Sequence, residues 1–228
     1  MKSIFLLVAA LLGLFSSAQA ASIRTIAFTL PEEVLTMDAR LANAPEAVPL
    51  TVTRGNLGTK VDLTPGAYNL TIPSLNKAAK FAIPESGPKT YILLVFVTEK
   101  TPLSVVLVPD GSDNIPYGTY YMINALDKDV AVQFDNQKVL LKPTKAHVFK
   151  TPNIDPPNNY FTAELYTVFG EFKVPTRFIR SSWPAWQDRR FISLIFNDPA
   201  FGRPLVRSIE DMKDAPEEPD PSAPVAGR

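Results

Sequence analysis

Apolar residues in this chain return at every second position, and the runs that carry them stop at prolines. In Asp129-Val130-Ala131-Val132-Gln133-Phe134 the valines and phenylalanine fall on one side of an extended backbone. Tyr68, Leu70 and Ile72 alternate with Asn69 and Thr71 in the same way. A period of two is the signature of a strand with one buried face. Further strands are expected at Ile23–Leu30, Tyr120–Ala125, Phe161–Phe169 and Phe191–Phe196. Tyr91–Val97 and Leu103–Val108 are apolar at nearly every position and read as central strands covered on both faces. The 22 prolines sit mostly between such runs, where their fixed φ and missing N–H punctuate loops. Only Glu32–Leu41 offers a helix. Many short strands with frequent turn signals specify an all-β chain of sandwich type.

The first twenty residues read as an export signal. Met1-Lys2-Ser3 precedes an uncharged apolar run from Ile4 to Phe15, and Ala18-Gln19-Ala20 supplies the small residues of a cleavage site before Ala21. The run is too short to cross a hydrocarbon core of roughly 30 Å as a helix, so no membrane span is expected after cleavage. Residues 21–84 and 85–211 are expected to form two small sandwich lobes, parted at the turn-rich Pro84-Glu85-Ser86-Gly87-Pro88. Residues 212–228, rich in proline and acid, have no apolar periodicity and read as a disordered tail.

Removing the signal leaves 22 basic against 23 acidic residues, and no excess positive field recruits nucleic acid. The chain has no cysteine, hence neither disulfides nor thiolate chemistry. Its stability must come from burial, which about 208 residues can supply. A disulfide-free exported chain points to a bacterial envelope, periplasmic or extracellular.

A weak internal repeat runs through these lobes. Arg40-Leu41-Ala42-Asn43-Ala44, Val48–Val52 and Leu63-Thr64-Pro65-Gly66-Ala67-Tyr68 are echoed by Met122-Ile123-Asn124-Ala125, Val130–Val132 and Leu141-Lys142-Pro143-Thr144-Lys145-Ala146-His147. Asparagine at a strand end also bonds its own backbone in turns. Arg40 to Ala47, followed by Val48-Pro49-Leu50-Thr51-Val52 and the Leu63-Thr64-Pro65-Gly66 turn, resembles secreted bacterial immunoglobulin-like domains of unknown function. The resemblance covers about a third of the mature chain. It implies two immunoglobulin-like sandwich lobes in tandem and transfers no catalytic residue.

Sites of chemistry are sparse. His147, the single histidine, lies in an ordinary strand between lysines, and no Gly-x-Ser-x-Gly elbow supplies a serine nucleophile. Glu164 lies in an apolar strand and should alternate outward with Thr162 and Tyr166. Asp110-Gly111-Ser112-Asp113-Asn114 has the oxygen-rich look of a calcium loop without the order of one, and reads more simply as a hairpin turn. No enzyme activity, cofactor or metal is expected. Arg177–Arg190 holds both tryptophans and several arginines. Trp183, Trp186, Arg180, Arg189 and Arg190 are the candidate binding residues, because tryptophan and arginine dominate binding hot spots. The competing reading has the tryptophans closing a core under a long loop while the arginines pair with acids; Pro184 makes the segment a loop rather than a continuous strand, which favours exposure. The sequence thus predicts a non-catalytic exported module, binding or structural, of the bacterial envelope or surface, whose partner is another protein or a second copy of itself. The alternative is a carbohydrate- or peptidoglycan-binding module using Trp183 and Trp186.

Overall fold

The computed structural model describes residues 19–29, 34–97, 102–154, 158–169, 174–198 and 202–213. The signal run and the tail from 214 onward lie outside the described residues, as do Glu32 and Glu33 of the expected helix.

The described residues form an all-β protein. The first eight strands are β1 (Ala21–Thr29), β2 (Val34–Leu41), β3 (Ala47–Thr53), β4 (Val61–Leu63), β5 (Gly66–Ile72), β6 (Lys77–Ile83), β7 (Thr90–Phe96) and β8 (Ser104–Pro109). The remaining eight are β9 (Thr119–Asn124), β10 (Val130–Phe134), β11 (Gln137–Leu141), β12 (Ala146–Lys150), β13 (Tyr160–Phe169), β14 (Val174–Pro184), β15 (Arg189–Asp198) and β16 (Arg203–Met212). Where a helix was expected, Val34–Leu41 is a strand. Leu35, Met37 and Ala39 are buried while Thr36 and Arg40 face out, and β2 pairs with both β3 and β5. The alternation outweighed the helix-favouring composition.

Two sandwiches result, and they share one topology. In the N-terminal lobe the sheets run β4-β1-β7-β8 and β3-β2-β5-β6, and in the C-terminal lobe β12-β9-β15-β16 and β11-β10-β13-β14. Shifting each strand number by eight converts one lobe into the other. In both, the first strand runs parallel to the seventh, β1 with β7 and β9 with β15. The internal repeat is therefore a whole sandwich. The motif pairing read from sequence was one strand out of step, since Asn43 follows β2 whereas Asn124 ends β9. The immunoglobulin arrangement pairs the first strand with the second. Here the neighbours of the first strand are the fourth and seventh.

The lobe boundary also moves. Pro84–Pro88 connects β6 to β7 inside the N-terminal lobe, because β7 is the central partner of β1. The chain passes between lobes in residues 110–118. Proline and glycine mark any turn; only strand pairing shows where a sandwich ends.

Three apolar layers separate four sheets. Ile23, Met37, Leu50, Leu70, Tyr91 and Leu93 belong to the N-terminal core, and Tyr120, Phe134, Phe149, Leu165, Trp183 and Phe191 to the C-terminal one. A third layer, with Ile26, Phe28, Ile92, Leu94, Ile123, Ile192, Leu194 and Phe196, joins the lobes. The two middle sheets are thus covered on both faces. On β7, Tyr91 and Leu93 point into one layer and Ile92 and Leu94 into another. This confirms the reading of Tyr91–Val97, but β8 is a sheet edge with Ser104 and Val106 exposed.

Candidate functional site

One end of the lobe interface is closed by charge. Arg24 on β1 and Arg190 on β15 face Asp110, at the start of the interlobe passage, and Asp211 on β16. Arg190 Nη2 donates to Asp110 Oδ1 and to Asp211 Oδ2, each at 2.6 Å, and its Nη1 donates to the Ile115 carbonyl at 3.1 Å. Arg24 donates to Asp110 Oδ2 at 2.8 Å and to Asp211 at 3.3 Å. Two guanidiniums and two carboxylates neutralise one another, which is what permits Arg190 to be 3% exposed. Burial pushes the Asp110 carboxyl up, but Arg24, the Gly111 N–H and Arg190 outweigh it and hold it below its ordinary value. Burial likewise opposes the charge on Arg24, yet Asp110 and Asp211 raise its pKa overall.

Asp110–Asn114 is accordingly neither a hairpin turn nor an open cation loop. The strands it joins belong to different lobes, and its leading carboxylate is held by arginines. Gly111 has φ +102, a conformation costly for other residues, and Ile115 N–H closes the turn on the Gly111 carbonyl at 2.9 Å.

The five candidate residues do not form one surface. Trp183, 9% exposed, is packed in the C-terminal core, its ring 5.0 Å from Tyr120 and perpendicular to Phe134 at 5.7 Å. Arg190 belongs to the buried charge cluster. Trp186 is half-buried, and the Arg189 guanidinium lies 4.2 Å from its ring centroid while also pairing with Glu210. Arg180 is exposed on the far face of β14 and pairs with Glu164 at 3.2 Å. Glu164 alternates outward with Thr162 and Tyr166 as expected, and also faces Arg177 and the Tyr166 hydroxyl. His147 is an exposed strand residue whose ring meets Phe149 edge-on at 4.7 Å. Pro184 ends β14 rather than breaking it into a loop, and its carbonyl accepts from the Tyr120 hydroxyl at 3.0 Å.

The concave feature of this region lies where the C-terminal sandwich is open. β14 and β16 are edge strands of its two sheets, with a cleft of about 320 Å³ between them. Tyr120, Trp183 and Phe191 line it from the core, Ile179 and Ser181 from β14, and Val206 and Ser208 from β16. Inward positions of the matching N-terminal edges carry Ala79, Phe81 and Ile83 on β6 and Val105 and Leu107 on β8, which pack across that seam. The C-terminal lobe has serines at the corresponding depth. Ser208 bonds the Ser193 hydroxyl at 2.7 Å and leaves the slot unfilled. Sequence reading passed over Ser181 and Ser208. Their signal was small polar residues at inward positions of alternating strands, visible only once the facing edge is known.

A second depression, about 290 Å³, lies at the interface end remote from the charge cluster. It is floored by Phe28, Leu94, Leu194 and Phe196, side chains of the layer that joins the lobes.

No family model and no curated protein matches this chain.

Proposed function

We propose that this is an exported, non-catalytic module of the bacterial envelope or surface that binds another protein through the open seam of its C-terminal lobe. The observation that carries the reading is the contrast between two lobes of one topology. The N-terminal seam is packed with apolar side chains, whereas the C-terminal one keeps an aromatic floor under two serines. An apolar cleft with a few polar groups at its walls is the usual form of a recognition site. The likeness to immunoglobulin-like domains rests on the two-layer architecture and not on strand order.

Glu164, the carboxylate set inside an apolar strand, supports a non-catalytic reading, because it is paired with Arg180 and Arg177. Export is supported by β1 opening at Ala21, the first residue after the expected cleavage site, so cleavage there leaves β1 whole. Glycan stacking on tryptophan has less support, since Trp183, 9% exposed at the floor of the cleft, offers too little ring area for a sugar to stack on, and Arg189 covers Trp186.

A photo-crosslinking residue placed at Ser181 of the exported protein tests the seam, with the exposed Leu140 as control. A discrete protein adduct from position 181 and none from 140 is expected. Adducts from neither, or equally from both, reject the seam as the site. N-terminal sequencing of the same product should begin at Ala21.

A further inference from the structure

We propose that the seam accepts an extended, acidic peptide segment of another protein as an added strand on the outer edge of β14; this rests on the seam being the binding site. β14 closes its sheet on one side, pairing with β13 from Tyr160↔Pro184 to Phe169↔Val174. No described strand pairs with its other side. A bulge at Phe178, between the pairs Leu165↔Ile179 and Tyr166↔Arg177, interrupts the edge and leaves Ile179–Pro184 as its regular part. Such an edge displays unpaired N–H and C=O groups, the template on which β-augmentation operates.

The side-chain pattern of the partner follows from the pleat. Every second residue of an added strand would point inward, over Ser181 and Ser208, and meet Trp183, Tyr120 and Phe191. Those positions call for apolar side chains. The alternate residues would lie on the outer face beside Arg177 and Arg180, which are both exposed and share Glu164 at 3.7 and 3.2 Å. Two guanidiniums over one carboxylate leave positive charge for acidic side chains on the partner.

The same features argue against the occupants nearest at hand. Residues 214–228 are acidic, but prolines at 216, 219, 221 and 224 deny them a run of N–H donors. A second copy pairing through its own β14 would set arginines against arginines, which opposes such an edge-to-edge dimer.

The probe is the capped peptide Glu-Val-Glu-Phe-Glu-Val-Glu, added to the mature chain and followed by amide hydrogen exchange. At least tenfold slower exchange confined to Ile179–Trp183 is expected, with a change in Trp183 emission. The lysine-for-glutamate peptide should bind at least tenfold more weakly, and a peptide of the same composition without the period should not protect β14. The double variant Ser181→Phe/Ser208→Leu, verified as folded by circular dichroism, should lose the protection. Protection on β16 alone, equal binding of the control peptides, or no protection at millimolar probe overturns the proposal. So does faster β14 exchange after deletion of residues 214–228, which would make the tail the occupant. Crosslinks from position 181 in cells without peptide protection would reject the strand while keeping the seam; failure of both would reject both.

Discussion

Arg190 holds a full charge away from water because each of its three guanidinium nitrogens meets an acceptor among Asp110, Asp211 and the Ile115 carbonyl. Removing one partner of such a cluster leaves the other charge buried and costs about 3–5 kcal/mol. Asp110→Asn should therefore destabilise the protein by roughly that amount in urea unfolding at pH 7. The folded carboxyl lies below its unfolded value of about 3.9. Its stabilisation is complete above that value and is lost as pH falls through the folded one. The gap between wild type and Asp110→Asn should thus narrow as pH falls below about 4, and a constant gap would contradict the assignment. The tryptophans offer a second check at this scale. Trp183 is embedded among Tyr120, Phe134 and Phe161, while Trp186 is half-buried under Arg189. Acrylamide should quench Trp186 readily and Trp183 poorly, so Trp183→Phe should leave emission that is red-shifted and uniformly accessible. Equal quenching of the two would place Trp183 outside the core.

Among the elements, β15 and β14 show how one strand geometry serves opposite ends. β15 sends Phe191 and Ile195 into the C-terminal core and Ile192, Leu194 and Phe196 into the interlobe layer, so nearly every residue is buried. β14 is an edge, framed by Pro175 and Pro184 and interrupted by the bulge at Phe178, so that its regular unpaired stretch is confined to Ile179–Pro184. Its serine at 181, with Ser208 on β16, keeps a cleft where the N-terminal lobe packs Phe81 and Leu107. Ser181→Phe/Ser208→Leu should close that cleft and raise stability by about 1–2 kcal/mol, at roughly 25 cal/mol per Å² of apolar area withdrawn from water. A lower Tm in the double variant would mean that the slot has no room for those side chains.

For the molecule as a whole, the interlobe layer decides behaviour. Ile26, Phe28, Ile92 and Leu94 on one lobe face Ile123, Ile192, Leu194 and Phe196 on the other, with the Arg24–Asp110–Arg190–Asp211 cluster at one end and the Phe96–Phe196 edge-to-face pair, 4.9 Å apart, at the other. An interface this apolar resembles a core more than a hinge. The two lobes should unfold in one calorimetric transition, and Leu94→Asp should split or abolish it. Two separate transitions in the wild type would show lobes that are only tethered. Residues 21–110 produced alone should associate through the bared face, visible as concentration-dependent light scattering.

Much of this was legible without coordinates, because alternation is a local property. The strands around Tyr68–Ile72, Val130–Phe134 and Phe161–Phe169 follow from the two-residue period of a pleated backbone, and so does the all-β class. The outward direction of Glu164 follows from the same period. What alternation cannot encode is which strand lies beside which. The parallel pairing of β1 with β7 across some seventy residues moved the lobe boundary from Pro84–Pro88 to 110–118. Pairing also turned Trp183 from an exposed binding residue into a packed core ring at the floor of a cleft, and Arg190 into a counter-charge. The open seam depends on two edges brought together from 181 and 208, and neither serine reports the other in sequence. Strand periodicity is written residue by residue; the partners of an edge are set only by the packing of distant segments against one another.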